Sequence, residues 1–268
     1  MNKKYKLIAF DVDDTLLNTE KRITPKTKEA LLKAQSGGIK LCVASGRLPY
    51  GVRPFAKELN VLKNGGYYFG FNGGAVINCR GERIGAEYLD SKYIKPVCEL
   101  LSPYNVNVMV HKGDIIYVDK KVNDYTHIES KAVGLPLNPV DDIVEFVDWK
   151  LHKMLLCGEP GELKNVERLL KEKLGEQVDI YLSAPWFLEV MPKGVNKGVG
   201  LKTVCDDMGI TPDEAIAFGD SYNDISMLKT AGVGVAMGNA EDEVKSSADF
   251  VTDTCDNDGI AKALSQIL

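Results

Sequence analysis

Short apolar runs alternate with amphipathic stretches in the first and last thirds of the chain. Runs at 7–10, 39–44 and 215–218 have the length of buried strands, and helix-like sequence lies next to them. Thr24-Pro25 and Gly37-Gly38 bracket one such helix, because Pro favours the first helical position and Gly follows the last. This alternation predicts an α/β core with a doubly wound, mostly parallel sheet.

The middle of the chain has a different pattern. Strand-like runs at 107–111 and 115–118 are adjacent, and further runs at 151–157 and 178–184 follow helical segments. Adjacent strands with helices on one side indicate an α+β insert with an antiparallel sheet. We therefore predict a core made of residues 1–82 and 193–268, with residues 83–192 as an inserted domain. The turn-rich segments at both boundaries are candidate hinges.

Composition limits the functional classes. The 268 residues are 44% apolar and 26% charged, which is ordinary for a globular protein. There are 33 basic and 38 acidic residues, a net charge of −5, with no long basic run, which argues against a nucleic-acid partner. No stretch approaches the roughly 20 apolar residues of a membrane span, and the first strand begins too early for a signal peptide. We expect a cytoplasmic protein without membrane contact.

The cysteine and histidine positions exclude two kinds of site. The six cysteines show no paired close spacing, and most lie in apolar runs such as those of Cys42, Cys157 and Cys205, so we interpret them as reduced thiols and not as disulfides or zinc ligands. His111, His127 and His152 all fall in the middle of the chain, away from the acidic motifs. A catalytic triad built on histidine is therefore disfavoured.

Acidic residues follow the first predicted strand. Asp11, Asp13 and Asp14 come directly after the apolar run at 7–10. One aspartate at a strand end is more often a turn or helix cap than a catalyst. Three in four positions repel one another unless a cation or a shared proton holds them. This segment therefore indicates a site for a divalent metal ion.

Polar residues also follow other predicted strands. Ser45 follows the run at 39–44, and Asp220 and Asp224 follow the run at 215–218. Lys197 comes directly after Asn196, which is the predicted N-cap of a helix. In a parallel sheet these strand exits lie along one edge. Each residue alone is equally compatible with a turn, a surface charge or a cap. Together they indicate one active-site crevice.

These motifs resemble those of the haloacid dehalogenase superfamily. The matching segments are Asp11-Val-Asp13-Asp14-Thr15, Ser45, Lys197 and the run from Gly219 to Asp224. Within that superfamily the chain resembles the Cof-type, YidA-like sugar phosphatases, through the segments at 72–75, 195–198 and 231–240. The resemblance implies a class II, B-type cap formed by the insert, which covers the active site. Asp14 stands where the family often has Gly.

The chemistry of phosphoryl transfer assigns roles to these residues. Asp11 can attack phosphorus to form an aspartyl phosphate, and Asp13 can protonate the leaving group and then activate water. Mg²⁺ is the expected cofactor, since it prefers oxygen ligands. The resemblance implies Asp11, the Asp13 carbonyl and Asp220 as ligands. Asp224 either holds a water molecule of the metal or ligates it directly.

The remaining motif residues are candidates for phosphate binding. Ser45, the Gly46 amide, Lys197 and Asn223 can supply hydrogen bonds or positive charge to phosphate oxygens. Thr15 is expected to support the loop. Arg47 is either a substrate contact or a structural ion pair, and Asn72 with Gly73 either forms only a tight turn or also lines the crevice. We expect a small phosphorylated metabolite as the partner.

The leaving group is not specified by the sequence. Four aromatic residues of the insert are candidates for contact with it, although aromatic side chains more often pack: Tyr117, Tyr125, Trp186 and Phe187. The resemblance favours sugar phosphates, with flavin or pyridoxal phosphates as competitors. A phosphomutase or phosphotransferase would use the same Asp11 and Asp13, and a non-catalytic metabolite-binding regulatory module is a further alternative. The oligomeric state is not predicted.

Overall fold

The computed structural model describes residues 5–119 and 122–268, with the side chain of residue 86 excepted. Its contacts divide the chain into two compact units. The core unit contains the residues up to Ala86 together with Asn196–Leu268, and the insert unit is Glu87–Val195.

The elements alternate as the sequence pattern indicates. Those of the first core segment are β1 (Leu7–Asp11), α1 (Pro25–Ser36), β2 (Lys40–Ala44), α2 (Pro49–Glu58), β3 (Tyr67–Gly70), β4 (Ala75–Ile77) and β5 (Arg83–Ala86). The insert unit contributes α3 (Ile94–Leu101), β6 (Asn107–Lys112), β7 (Ile115–Asp119), α4 (Asp124–Val133), β8 (Leu137–Val140), α5 (Ile143–Phe146), β9 (Met154–Cys157), α6 (Pro160–Leu174), β10 (Val178–Ala184) and β11 (Phe187–Pro192). The second core segment adds α7 (Lys197–Met208), β12 (Ala215–Gly219), α8 (Ile225–Thr230), β13 (Val233–Ala236), α9 (Asp242–Ser246), β14 (Phe250–Val251) and α10 (Gly259–Ile267).

The core unit is built on one eight-stranded sheet. Its strand order is β14-β13-β12-β1-β2-β3-β4-β5, and the pairs from β14 to β3 are parallel. Separate apolar clusters cover the two faces, so each central strand is buried on both sides. This confirms the predicted doubly wound α/β core. The carboxyl ends of β1, β2 and β12 consequently lie together at one edge.

Helix ends in the core follow the capping signals in the sequence. The Thr24 side chain accepts a hydrogen bond from the Thr27 amide, and Pro25 begins α1. The Asn196 side chain accepts from the Val199 amide, and Gly209 ends α7 at φ 64°. The start of α7 is therefore fixed one residue before Lys197.

The insert unit has a six-stranded sheet in the order β10-β11-β9-β6-β7-β8. Its pairs are antiparallel except β7 with β8, which are parallel. An apolar cluster joins α3, α5 and α6 to one sheet face, as predicted. Helix α4 differs, because its Glu129 approaches His111, whose side chain points to the face opposite that of Val110.

The division of contacts differs from the predicted boundaries by a few residues. The insert unit begins at Glu87 instead of residue 83, because β5 pairs antiparallel with β4 at the edge of the core sheet. It ends at Val195 instead of residue 192, where the Val195 amide still bonds the Pro192 carbonyl at 3.4 Å. Strand β11 has no counterpart in the sequence prediction. Its central Glu189 interrupts the apolar pattern, yet all six residues are buried.

Among residues 5–119 and 122–268, none of the helices combines the length and apolar character needed to cross a membrane.

Candidate active site

The acidic motif forms the turn that leaves β1. Asp11 is the last residue of the strand and is 7% exposed. The Leu17 amide closes the turn by donating to the Val12 carbonyl at 2.9 Å. Asp14 has φ 57°, a left-handed conformation that Asp tolerates better than most residues. The turn therefore forms with Asp at the position where the family often has Gly.

Lys197 joins two of the acidic segments. It is the first residue of α7 and is fully buried. Its Nζ donates to Asp11 Oδ1 in a short hydrogen bond and to Asp224 Oδ1 at 2.6 Å. Gly198 lets this helix approach α8, since a Cβ there would lie 2.6 Å from the Ser226 carbonyl oxygen. Close packing of the two helices therefore brings the ammonium group to the carboxylates.

The second acidic segment follows β12. Asp224 is fully buried, and its Oδ2 accepts the backbone amides of Asp220 and Ser221, both at 3.0 Å. A Cβ at Gly219 would lie 2.4 Å from that of Asp224, so only glycine fits there. Thr15 donates to Asp220 Oδ1 at 2.5 Å. Thr15 therefore ties the two acidic segments together, consistent with its expected supporting role.

The charges in this cluster do not balance. Burial, together with the charges of Asp224 and Asp220, raises the pKa of Asp11 well above its ordinary range, although Lys197 opposes the shift. Burial and the charge of Asp224 raise the pKa of Asp220 to about 7. Burial alone would lower the pKa of Lys197, but Asp11 and Asp224 raise it. Three carboxylates therefore face one ammonium group.

This donor set fits a divalent cation. One carboxylate oxygen from each of Asp11, Asp220 and Asp224 lies within 4.8 Å of the others. Burial and the charges of neighbouring carboxylates raise the pKa values of Asp11 and Asp220, and a cation between the carboxylates would offset their repulsion. An all-oxygen donor set suits a hard ion such as Mg²⁺. Asp224 already engages Lys197 and two amides, which leaves Asp11 and Asp220 as the better direct ligands.

Asp13 makes a different contact from Asp11. Its Oδ1 lies 2.7 Å from Arg47 Nη2, and its Oδ2 accepts from Arg47 Nε at 2.8 Å. The Asp13 side chain is 40% exposed. Of the two roles left open for Arg47, the structure therefore contains the ion pair. The pair is bidentate, the geometry in which a guanidinium orients a carboxylate best.

The phosphate-binding candidates lie beside the acidic cluster. Asp11 pairs with Ala44 in the sheet, so the buried Ser45 follows at the same edge. Asn223 Nδ2 donates to Asn72 Oδ1 at 3.0 Å. A Cβ at Gly46 would lie 3.1 Å from the same Asn72 oxygen. The segments that contain Gly46, Asn72 and Asn223 therefore meet at this point.

Asn72 and Gly73 form a tight turn that also packs on the site. Their φ values are 53° and 94°, both left-handed. A Cβ at Gly73 would lie 2.6 Å from the Asn196 carbonyl oxygen, so this turn lies directly against the start of α7. The Asn223 Oδ1 is buried without a hydrogen-bond partner in the described ranges. An orphaned polar atom here indicates a place for a bound polar group.

Sequence reasoning missed two residues of this region. Lys21 lies 3.0 Å from Asp14 Oδ1, and Asn239 Nδ2 donates to the Asp14 carbonyl at 2.7 Å. Lys21 lies in a polar turn with no motif around it. Asn239 falls inside the segment 231–240, which carried the resemblance without suggesting a contact. Of the aromatic candidates in the insert, Tyr117 packs on Phe146 with ring centroids 4.7 Å apart.

The core fold and this cluster define a hydrolase of the haloacid dehalogenase type. The sequence pattern of the haloacid dehalogenase-like hydrolases matches residues 8–264, so the chain belongs to that family. It is 35% identical to a haloacid dehalogenase-like hydrolase from Bacteroides thetaiotaomicron, with a TM-score of 0.90 over 98% of this chain and 100% of the other. A structure described as a subclass IIB sugar phosphatase is 28% identical, with a TM-score of 0.83 over 98% of this chain and 100% of the other.

A relative of Bacillus subtilis is named 5-amino-6-(5-phospho-D-ribitylamino)uracil phosphatase. It is 32% identical over 97% of this chain and 94% of its own length. These comparisons confirm the predicted Cof-type phosphatase, an enzyme that acts on phosphorylated small molecules.

Proposed function

We propose that the protein is a Mg²⁺-dependent phosphatase that hydrolyses small phosphorylated metabolites through an aspartyl phosphate. One observation carries the proposal: buried Lys197 is shared by Asp11 and Asp224, while Asp220 has a pKa raised to about 7. Because the carboxylates of this cluster outnumber its ammonium group, the cluster suits a site that binds a cation together with an anionic phosphoryl group.

Asp11 is the proposed nucleophile. A carboxylate oxygen of Asp11 attacks phosphorus, and the bond between phosphorus and the leaving oxygen breaks. Lys197 holds the Asp11 carboxylate and offers positive charge to the phosphoryl group. Asp13 gives its proton to the leaving oxygen and then accepts one from the water that hydrolyses the aspartyl phosphate.

Asp11, Asp220 and the carbonyl of Asp13 are the proposed metal ligands. When bound, Mg²⁺ would neutralise charge that develops on the phosphoryl oxygens. Asp224 positions Lys197 and the backbone amides of Asp220 and Ser221, which gives it a supporting role beside the metal.

Phosphate recognition is assigned to core residues. Ser45 Oγ, the Gly46 amide and the Asn223 side chain can donate to phosphate oxygens. The contact of Asn223 with Asn72 supports this assignment, because it fixes the amide beside Gly46.

Sugar phosphates are the proposed substrates, and the insert unit is proposed to select the leaving group. The name of the subclass IIB relative supports a sugar phosphate, whereas the name of the Bacillus subtilis relative supports a ribityl phosphate that carries a ring. Both leaving groups are polyhydroxylated chains or rings. We expect the enzyme to work in the cytoplasm, where such metabolites occur.

A panel of phosphorylated metabolites assayed with Mg²⁺ tests this function. The panel should contain sugar phosphates, ribityl phosphates, flavin mononucleotide and pyridoxal phosphate, with release of free phosphate as the readout. Release of free phosphate in an amount equal to the substrate consumed supports hydrolysis. Transfer of the phosphoryl group to a second hydroxyl would identify a phosphotransferase instead, and no turnover of any substrate would contradict the proposal.

A further inference from the structure

One buried side chain of the insert unit has no hydrogen bond at either of its polar atoms. Within the described ranges, four buried side-chain polar atoms lack a hydrogen-bond partner, and both ring nitrogens of His111 are among them. The other two belong to Gln35 and Asn223, each of which still donates through its amide nitrogen. The His111 side chain is only 5% exposed. His111 therefore has hydrogen-bonding capacity that the described part of the chain leaves unused.

The neighbours of His111 in the sheet are apolar. His111 lies in β6 opposite Ile116 of β7, and Met109 is on the same face two residues earlier. Both neighbours are fully buried. An apolar side chain at position 111 would pack against them, whereas buried polar atoms without hydrogen bonds lower stability. Stability therefore does not explain a histidine here, and a functional reason is favoured.

Helix α4 brings a carboxylate to the same place. Its buried residues are Thr126, which completes the capping box with Asn123, and Glu129, which has no part in that cap. Glu129 Oε1 lies 3.8 Å from His111 Nε2, which is too long for a hydrogen bond. One hydroxyl oxygen can nevertheless lie within hydrogen-bond distance of two atoms with this separation. The two side chains thus form a pair to which a hydroxyl group can bond.

The charges around His111 favour an uncharged ligand. Burial, together with the charge of Lys153, lowers the pKa of His111 to about 3, so its imidazole is neutral at neutral pH. A neutral imidazole offers one N–H donor and one acceptor nitrogen, and the Glu129 carboxylate adds acceptors. A hydroxyl group, which both donates and accepts, matches this set. A phosphate dianion has no hydrogen to donate to Glu129, and a cation would meet the positive charge of Lys153.

We propose that His111 and Glu129 bind hydroxyl groups of the leaving group, which makes them substrate-binding residues for sugar or alditol phosphates. The proposal rests on the proposed function, in which the insert unit selects the leaving group. A polyhydroxylated leaving group gains hydrogen bonds from this pair, whereas an alkyl chain of the same length leaves both side chains without them.

Binding of hydroxyl groups can be measured without turnover. The chain has three histidines, so the nitrogen NMR signals of the histidine rings are few and can be assigned with variants. The probe is ribitol, an uncharged alditol, added to the protein in the presence of Mg²⁺. It should shift the ring signals of His111 and leave those of His127, an exposed residue of α4, unchanged. Unchanged His111 signals in a large excess of ribitol would overturn the proposal.

The kinetic test compares two leaving groups of equal length. One substrate is the sugar or alditol phosphate that the panel shows to be turned over fastest, and the other is the alkyl phosphate with the same number of carbons. His111→Phe should lower kcat/KM at least about tenfold for the hydroxylated substrate and less than about twofold for the alkyl phosphate. His111→Gln, which retains a donor and an acceptor, should keep most of the preference for the hydroxylated substrate. Glu129→Gln, which loses the charge but keeps an acceptor, should give a smaller selective loss of about threefold.

His127→Phe is the matched control, because it makes the same change at an exposed position of α4. It should leave kcat/KM unaffected for both substrates, and melting temperatures establish that every variant is folded. An unchanged preference for the hydroxylated substrate in His111→Phe would overturn the assignment to the leaving group, even if ribitol shifts the His111 signals. Absence of phosphate release from every substrate would instead contradict the proposed function, whereas the ribitol measurement does not depend on turnover.

Discussion

Within the described residues, each unit contains a buried lysine that is paired with carboxylate groups, and the two sites differ in charge balance. In the insert, Lys153 Nζ lies 2.9 Å from Glu189 Oε1, with both side chains 5% exposed, and the Tyr181 hydroxyl donates to Glu189 Oε2 at 3.3 Å. In the core, Lys197 faces both Asp11 and Asp224, with Asp220 beside them.

The difference separates a structural pair from a functional cluster. A one-to-one pair with an added hydrogen bond leaves no charge for a ligand to neutralise. The buried Lys153 also affects a neighbouring residue, because burial together with the charge of Lys153 lowers the pKa of His111 to about 3. The cluster in the core retains excess negative charge, so it favours a cation, and its raised pKa values are typical of active sites.

The largest expected effect comes from removing the proposed nucleophile. Asp11→Asn keeps the shape of the side chain but cannot form the aspartyl phosphate, so kcat should fall by at least about a thousandfold on every substrate. Steady-state phosphate release measures the loss. Asp253→Asn, at an exposed ion pair with Lys262, is the matched control and should remain active. Appreciable turnover by Asp11→Asn would refute the covalent mechanism.

Removal of the metal should abolish catalytic activity and leave the protein folded. Excess chelator should reduce turnover to background, and Mg²⁺ should restore it. At a concentration well above its dissociation constant, Mg²⁺ should also raise the melting temperature by roughly 5 °C, because it binds only the folded site. Undiminished activity in chelator would contradict a metal-dependent reaction.

Breaking the balanced pair in the insert should affect stability far more than chemistry. Lys153→Met leaves Glu189 buried without its partner, which should cost about 3–5 kcal/mol of unfolding free energy. Lys153→Met combined with Glu189→Leu should recover most of that loss. Denaturant unfolding measures both variants. If the double variant were no more stable than the single one, the description of this pair as self-contained would be wrong.

The smallest effect is a pH dependence of the metal-free protein. Since the folded-state pKa of Asp220 is about 7, above its unfolded value, its contribution to stability is full below about pH 4 and is lost as the pH rises through about 7. Mg²⁺ should therefore raise the melting temperature more at about pH 8 than at about pH 5. Asp220→Asn should flatten this difference. An equal Mg²⁺ effect at both pH values would contradict the excess of negative charge.

Much of the core could be predicted because its signals are local. The capping residues Thr24 and Asn196, and Gly209 after α7, mark helix ends through their own hydrogen bonds or backbone angles. The carboxyl ends of parallel strands lie at one edge of the sheet, so Ser45 after β2 and Asp220 after β12 could be predicted to lie near Asp11. The interpretation of Cys42, Cys157 and Cys205 as core residues is also confirmed, because all three are buried.

What could not be predicted depends on partners distant in sequence. Glu189 in β11 breaks an apolar pattern, and its burial makes sense only once Lys153, which precedes β9, is beside it. The contacts of Arg47 and Lys21 depend on which way long, flexible side chains turn, which spacing does not determine. The roles of Asp11, Asp13 and the phosphate-binding residues stay predictions until the variants are measured.

The order of strands in the core sheet also has a consequence for synthesis of the protein. Strand β1 is central and pairs with β2 on one side, but its other neighbour, β12, follows about 200 residues later in the chain. Until that part emerges from the ribosome, β1 presents an open strand edge, apolar in its first four residues, that can pair with another chain. The intervening insert contains its own sheet and can fold during the delay. A chain arrested before α7 would thus lack Lys197 and would be prone to aggregation.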